Sequence, residues 1–178
     1  MAKNITVIVG SPRKNSSSVL LARAFQKGAE AAGHKVNLIE LWNRKISGCI
    51  GCYGCKKTGR CVLQDDMQPI YDALYQSDAL LLSCPVYYFT YPAQVKAVID
   101  RFFASANNPF PIKEAALLRV CAHGDATGGH RMDDEFHALC RYFSWQNRGT
   151  IAAFGVWDPH ELAGNDALNR AEELGKTM

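Results

Sequence analysis

No apolar run in this sequence approaches the roughly 18 residues that a membrane-spanning helix requires. The N-terminal run Ile5–Val9 is also too short for the core of a secretion signal, and Gly-Ser-Pro follows it in place of a cleavage site. Charge of one sign is scarce. The net charge is only +3 over 178 residues, with no long basic run, which argues against nucleic acid as the main partner. There is no Gly-x-Gly-x-x-Gly and no Gly-Lys-Ser/Thr, so neither a dinucleotide fingerprint nor a P-loop is present. There is no internal repeat and no linker. These absences leave one domain, expected in the cytoplasm, with no membrane or nucleic-acid partner. In that compartment the seven cysteines are not expected to form disulfides. Hydrophobic residues make up 48% of the chain and charged residues 21%, enough for one sizeable core.

The elements alternate. Ile5–Val9 is β-branched and almost wholly apolar, as befits a strand buried on both faces of a parallel sheet. Ser16–Ser18 can cap a helix with apolar positions at Val19, Leu20, Ala24, Phe25 and Ala29, ending at Gly33. Lys35–Leu41 reads as a second strand, and a Gly- and Cys-rich loop spans Ser47–Val62. Asp65 or Asp66 caps a short helix to about Gln76. Ala79–Cys84 is a third strand, and Pro92 opens a helix that ends near Phe103. After a loop over 104–113, Ala115–Ala122 is a fourth strand, His130–Trp145 a helix, Gly149–Trp157 a fifth strand and Glu161–Leu174 a closing helix. About five β–α alternations imply an α/β doubly wound, three-layer sandwich. Such sheets bind ligands beyond the carboxyl ends of their strands. That directs attention to Ser11–Ser18, Pro85–Tyr91 and His123–Gly129.

The first of these loops joins a buried strand to a helix N-terminus. It carries four serines, Asn15, Arg13 and Lys14. Free N–H groups and a positive helix end suit a phosphate dianion, and without a P-loop a terminal monophosphate fits best. The alternative is a solvated turn whose serines only cap the helix. The second loop, Ser83-Cys-Pro-Val-Tyr-Tyr-Phe-Thr-Tyr-Pro92, sets four aromatic rings in five residues on the same edge. Tyr87, Tyr88, Phe89 and Tyr91 can wall a flat heteroaromatic ring or can serve core or dimer packing. Phosphate at one end and a flat ring at the other describe a mononucleotide.

Gly-Ser-Pro-Arg-Lys-Asn-Ser at 10–16, Ser-Cys-Pro-Val-Tyr-Tyr-Phe at 83–89 and Val-Lys-Ala-Val-Ile-Asp-Arg-Phe at 95–102 resemble the NAD(P)H-dependent FMN reductases of the flavodoxin-like superfamily. The resemblance covers nearly the whole chain in order. It implies a five-stranded parallel sheet of order 2-1-3-4-5. It implies that Ser11, Arg13, Lys14, Ser16, Ser17 and Ser18 hold the FMN phosphate, and that Pro85, Val86, Tyr87, Tyr88 and Phe89 line its isoalloxazine ring. His123, Gly124 and Asp125 would close the other side. It also implies a homodimer or homotetramer.

Cys49, Cys52, Cys55 and Cys61 form C-x2-C-x2-C-x5-C, and four thiolates so close together converge only on something compact. Gly48, Gly51, Gly54 and Gly59 supply turns, and Lys56, Lys57 and Arg60 offset thiolate charge. The spacing is close to the run of bacterial ferredoxins, without the proline after the last cysteine. Together with FMN it resembles the iron–sulfur flavoproteins, which carry a [4Fe–4S] cluster on such a loop. Zinc and an unmetallated loop remain the alternatives, although zinc sites usually space two Cys pairs farther apart. Cys84, Cys121 and Cys140 are expected in the core.

The expected reaction is electron transfer through FMN, from NAD(P)H or another donor to a small-molecule or protein acceptor. With no separate dinucleotide domain, a nicotinamide would stack directly on the flavin, and no dedicated acid–base residue is evident. A pure electron carrier is the competing class. A signalling receiver is excluded because Gly10-Ser11 and Cys84-Pro85 stand where acidic strand ends are needed. A phosphatase is excluded because Cys-x5-Arg is missing after the first strand.

Overall fold

A computed structural model of the protein describes residues 1–178, the side chain of Ala126 excepted. The strands are β1 (Asn4–Val9), β2 (Lys35–Glu40), β3 (Ala79–Pro85), β4 (Glu114–Cys121) and β5 (Gln146–Phe154). The helices are α1 (Ser17–Ala31), α2 (Gly54–Thr58), α3 (Gln68–Tyr75), α4 (Ala93–Arg101), α5 (His130–Phe143) and α6 (Asp166–Thr177). Short 3₁₀ turns cover Phe102–Ser105, Ala126–Gly128 and Pro159–Leu162. All four strand pairings are parallel and the sheet order is 2-1-3-4-5, as expected.

Strand side chains alternate between faces, and each face has its own core. Ile5, Val7 and Val9 with Leu81, Leu118 and Ala153 meet Leu21, Phe25 and Ala171 of α1 and α6. Ile8, Leu80, Leu82 and Leu117 meet Ile70, Val98, Phe102 and Phe136 of the α3–α4–α5 layer. The helices α1 and α6 pack backbone to backbone. A Cβ at Gly28 would lie 1.9 Å from the Glu172 carbonyl oxygen, and one at Gly175 2.2 Å from that of Phe25.

Several boundaries differ from the sequence reading, and three of them have a clear local reason. The helix α5 ends at Phe143 because Ser144 turns left-handed (φ 57°) and folds Trp145 back onto Phe143 in a stacked pair. The strand β5 starts at Gln146, since Gly149 (φ 103°) is a register shift inside the strand, not a turn before it. The closing helix begins at Asp166, capped by Asn165, because Gly164 (φ 75°) separates it from the 3₁₀ turn Pro159–Leu162.

Candidate functional site

The carboxyl ends of β1, β3, β4 and β5 open onto a cleft of about 480 Å³, a size ordinary for a cofactor site. One end is the N-terminus of α1. Gly10 closes β1 with its N–H donating to the Ser83 carbonyl, and a Cβ there would collide with Val95 of α4. Ser11, Ser16, Ser17 and Ser18 are all buried and line the cleft. Ser16 caps α1 by accepting the Val19 N–H. Ser83 Oγ donates to the Ser18 carbonyl at 2.8 Å, tying the helix start to β3. The N–H groups of the first helical turn have no partner within the helix and carry its positive end.

Arg13 crosses the mouth of the cleft. Its guanidinium donates to the Trp157 carbonyl at 3.0 Å and pairs with Asp158 at 3.2 Å. Both side chains of the pair are more than half exposed. Such a pair contributes about 0–1 kcal/mol, so the guanidinium is readily redirected to an anion. Lys14 does not line the cleft. Its ammonium sits over the ring of Trp42.

The opposite wall is Pro85, Val86, Tyr87 and Tyr88. Val86 N–H donates to the Val120 carbonyl, which fixes this wall to β4. Tyr87 and Thr90 exchange backbone bonds across a two-residue turn whose central residues are Tyr88 (φ 45°) and Phe89 (φ 73°). Glycine or asparagine normally fills such positions. Two bulky aromatics held left-handed cost about 1–3 kcal/mol each, and strain of this kind collects at ligand sites. Tyr88 is 96% exposed, so its ring is presented to solvent. Phe89 does not line the cleft.

The third expected loop stands aside from the cleft. His123 Nδ1 and Asp125 pair with each other at 3.3 Å, both exposed. Hydrogen bonds from the Thr127 hydroxyl and N–H, then the neighbouring His123, hold the Asp125 carboxyl below its ordinary range. The closing wall is instead Val120 and Ala122 from the end of β4, with Val156 and Trp157 after β5. The sequence places Trp157 at the end of the fifth strand, but β5 ends at Phe154, and after Gly155 (φ 66°) Val156 and Trp157 line the cleft.

A second, smaller pocket lies at the other end of α4. Cys49, Cys52, Cys55 and Cys61 all line it, with Phe103, Ala104 and Arg101. The thiols are free; Cys49 and Cys52 are exposed, Cys55 and Cys61 half-buried. The short helix α2, absent from the sequence reading, carries Cys55 and is bounded by left-handed Tyr53 and Gly59. Lys56 lies over the Tyr53 and Phe103 rings. Among the described residues, no three His, Cys, Asp or Glu side chains already form a set that would hold a metal ion. Arg101, which the sequence reading placed only in a helix pattern, is 1% exposed. It forms a two-pronged pair with Asp65 and donates to the Ser47 and Leu63 carbonyls, at either end of the cysteine loop. Cys84, Cys121 and Cys140 are buried; burial pushes the Cys84 thiol up to about 12 and the Cys140 thiol to about 11.

Residues 3–157 match the model of the family described as NADPH-dependent FMN reductase. An iron-sulfur flavoprotein of Archaeoglobus fulgidus is 37% identical over 96% of this chain and 76% of its own length. One from Methanosarcina thermophila is 31% identical over 88% of this chain and 84% of its own. Among solved structures, the NAD(P)H:quinone oxidoreductase from Methanothermobacter marburgensis aligns with a TM-score of 0.71 at 18% identity, over 99% of this chain and 97% of its own. An FMN-dependent NADH-azoreductase from Bacillus anthracis, in complex with FMN, gives 0.71 at 13% identity over 99% of both chains. The two structural likenesses carry the fold alone, while the family match and the two sequence relatives carry descent: the chain belongs to the NADPH-dependent FMN reductase family, in its iron–sulfur flavoprotein branch.

Proposed function

We propose that this chain binds FMN in the large cleft and acts as an FMN-dependent oxidoreductase, taking electrons from NAD(P)H or another donor and passing them to an acceptor. The observation that carries the reading is the cleft itself. Buried serines at a helix N-terminus form one end, and Tyr87, Tyr88 and Trp157 stand where a flat ring would lie. Ser11, Ser16, Ser17 and Ser18, with the first-turn N–H groups of α1, would hold the phosphate, and Arg13 would turn from Asp158 toward it. Lys14, whose ammonium lies over Trp42, is a further cation on the same loop. Pro85, Val86 and Tyr87 would support the ring. Bound there, FMN supplies hydride-accepting chemistry on one side and single-electron chemistry on the other. The chain's part is to orient the ring, exclude water from its protein face and leave the Tyr88 side open to a donor.

The cysteine pocket fits a [4Fe–4S] cluster. All four donors are thiols and share one cavity. Zinc is the less favoured occupant, because zinc sites usually space two Cys pairs farther apart than C-x2-C-x2-C-x5-C. Cys49, Cys52, Cys55 and Cys61 would hold it, and it would supply one-electron exchange. The helix α4 spans from the aromatic loop to this pocket over nine residues, roughly 13 Å of rise. Assembly into a homodimer or homotetramer is therefore part of the proposal, as a route that brings one chain's cysteine pocket nearer another chain's cleft.

The pure electron carrier is the second reading, favoured by the exposed cysteine pair. Anaerobically purified protein is tested for FMN, iron, sulfide and NAD(P)H oxidation. FMN with about four irons and rapid oxidation supports the proposal. FMN and iron without NAD(P)H oxidation supports the carrier. FMN with full reductase activity and no metal leaves a simple FMN reductase with an unmetallated loop.

A further inference from the structure

Arg101 is among the largest fully buried side chains in the protein, and it sits at the carboxyl end of α4. A guanidinium has five N–H donors in a fixed fork. Its two terminal nitrogens are well used. Nη1 donates to the Ser47 carbonyl and to Asp65, each at 2.9 Å, and Nη2 donates to Asp65 at 3.2 Å and to the Leu63 carbonyl at 3.5 Å. The Nε–H is different. It is wholly buried and has no acceptor among the described residues. Leaving a buried charged donor unpaired carries its full desolvation penalty. Arg119 also has an unpartnered buried nitrogen, but of the two only Arg101 lines the pocket of the four loop cysteines.

The pocket that Arg101 lines is the one that all four loop cysteines line, and its other walls near Arg101, Phe103 and Ala104, are apolar. Sulfur is thus the acceptor chemistry that the pocket offers. Hydrogen bonds to sulfur are among the levers that set an iron–sulfur reduction potential. The exposed Lys56, Lys57 and Arg60 are screened by solvent, whereas Arg101 is not.

We propose that Arg101 donates its Nε–H to a cysteine or inorganic sulfur of the bound cluster, and is a positioning residue that raises the cluster's reduction potential. The inference rests on the cluster reading above. It is tested on full-length protein reconstituted anaerobically with iron and sulfide, and grown with arginine labelled with ¹⁵N in the guanidinium only. Pulsed EPR of the reduced wild type should show a ¹⁵N coupling to the cluster, and Arg101→Lys should abolish it. Arg101→Lys keeps a cation for Asp65 but removes the Nε–H, so a cluster that it retains should titrate at a more negative potential. Wild type with full iron and no ¹⁵N coupling overturns the inference and leaves the cluster standing, as does an Arg101→Lys cluster with unchanged potential. Wild type that takes up no iron and sulfide overturns the cluster reading, and the inference with it. Should Arg101→Lys fail to fold, Arg60→Lys on the same labelled protein decides: the coupling should persist, and its loss would assign it to Arg60 and overturn the inference.

Discussion

The two pockets are held open by different means. The cleft is made at the ends of four parallel strands whose backbone ladders fix its base, and its serines belong to a helix start bonded to β3. The cysteine pocket lies on the loop from Ser47 to Val62, whose one helix is five residues long. Its two ends are gathered by side chains: Arg101 on α4 donates to the Ser47 and Leu63 carbonyls, Asp65 accepts the Ser47 N–H, and Gln68 donates to the Cys61 and Leu63 carbonyls. The first pocket follows from the topology of the sheet, as the crevice rule for open α/β sheets requires. The second is grafted onto that scaffold and is held by a few side chains in place of a strand ladder. The two should therefore fail independently.

The sharpest way to break that comparison is to remove a thiol. Cys49→Ala, Cys52→Ala, Cys55→Ala or Cys61→Ala should each lose iron or leave an oxygen-labile cluster, read as iron and sulfide on anaerobic protein, while FMN stays at one per chain. Cys121→Ala, a buried position at the end of β4, should leave iron unchanged. Loss of FMN along with iron would show that the pockets are coupled.

A second test works from the scaffold side. Gly28→Ala drives a methyl group into the Glu172 carbonyl, so α1 must move away from α6. Overpacking of this kind costs about 1–3 kcal/mol, measured by urea denaturation. Because α1 carries the buried serines, FMN affinity should fall while iron content holds.

The strained aromatic turn sets stability against binding. Tyr88→Gly relieves a left-handed tyrosine and should stabilise the apoprotein by about 1 kcal/mol, offset in part by the looser unfolded chain. It should also weaken FMN binding or shift the flavin potential. Unchanged binding would place the ring elsewhere.

The smallest effect concerns the tether. Burial raises the Asp65 carboxyl, but hydrogen bonds from Arg101, Ser47 N–H and Met67 N–H outweigh it and hold the group below its ordinary 3.8. A depressed carboxyl contributes stability in full above that ordinary value, and the contribution is lost as pH falls through the depressed one. Limited proteolysis at 47–62 should thus accelerate below about pH 4 before the rest of the fold opens. Cleavage independent of pH would mean that the pair does not hold the loop.

Sequence made the sheet legible because its strands are nearly pure apolar runs and its helices keep a clean period. It misread what depends on a single backbone angle. Gly149 looks like the start of a strand but sits inside one, and Ser144 stops a helix without being glycine. At the cleft, the serines and Pro85–Tyr88 were readable because each follows a strand that must end on the ligand edge. Val156 and Trp157 follow a fifth strand by the same rule, but no motif marks them. Lys14, Phe89, His123, Gly124 and Asp125 share the right loops and do not line the cleft, since loop membership does not fix where a side chain points. Arg101 was hidden most completely. Its partners Ser47 and Asp65 lie far away in sequence, and only the folded chain brings them together.

The central claim is that the serine-lined end of the cleft grips a phosphate. Equilibrium titration of apoprotein with FMN and with riboflavin, which differ only in that group, tests it directly. Charge-assisted contacts of about 1.5–3 kcal/mol each predict that FMN binds at least about tenfold more tightly, with the advantage reduced in Arg13→Ala. Equal affinities for FMN and riboflavin would contradict the account.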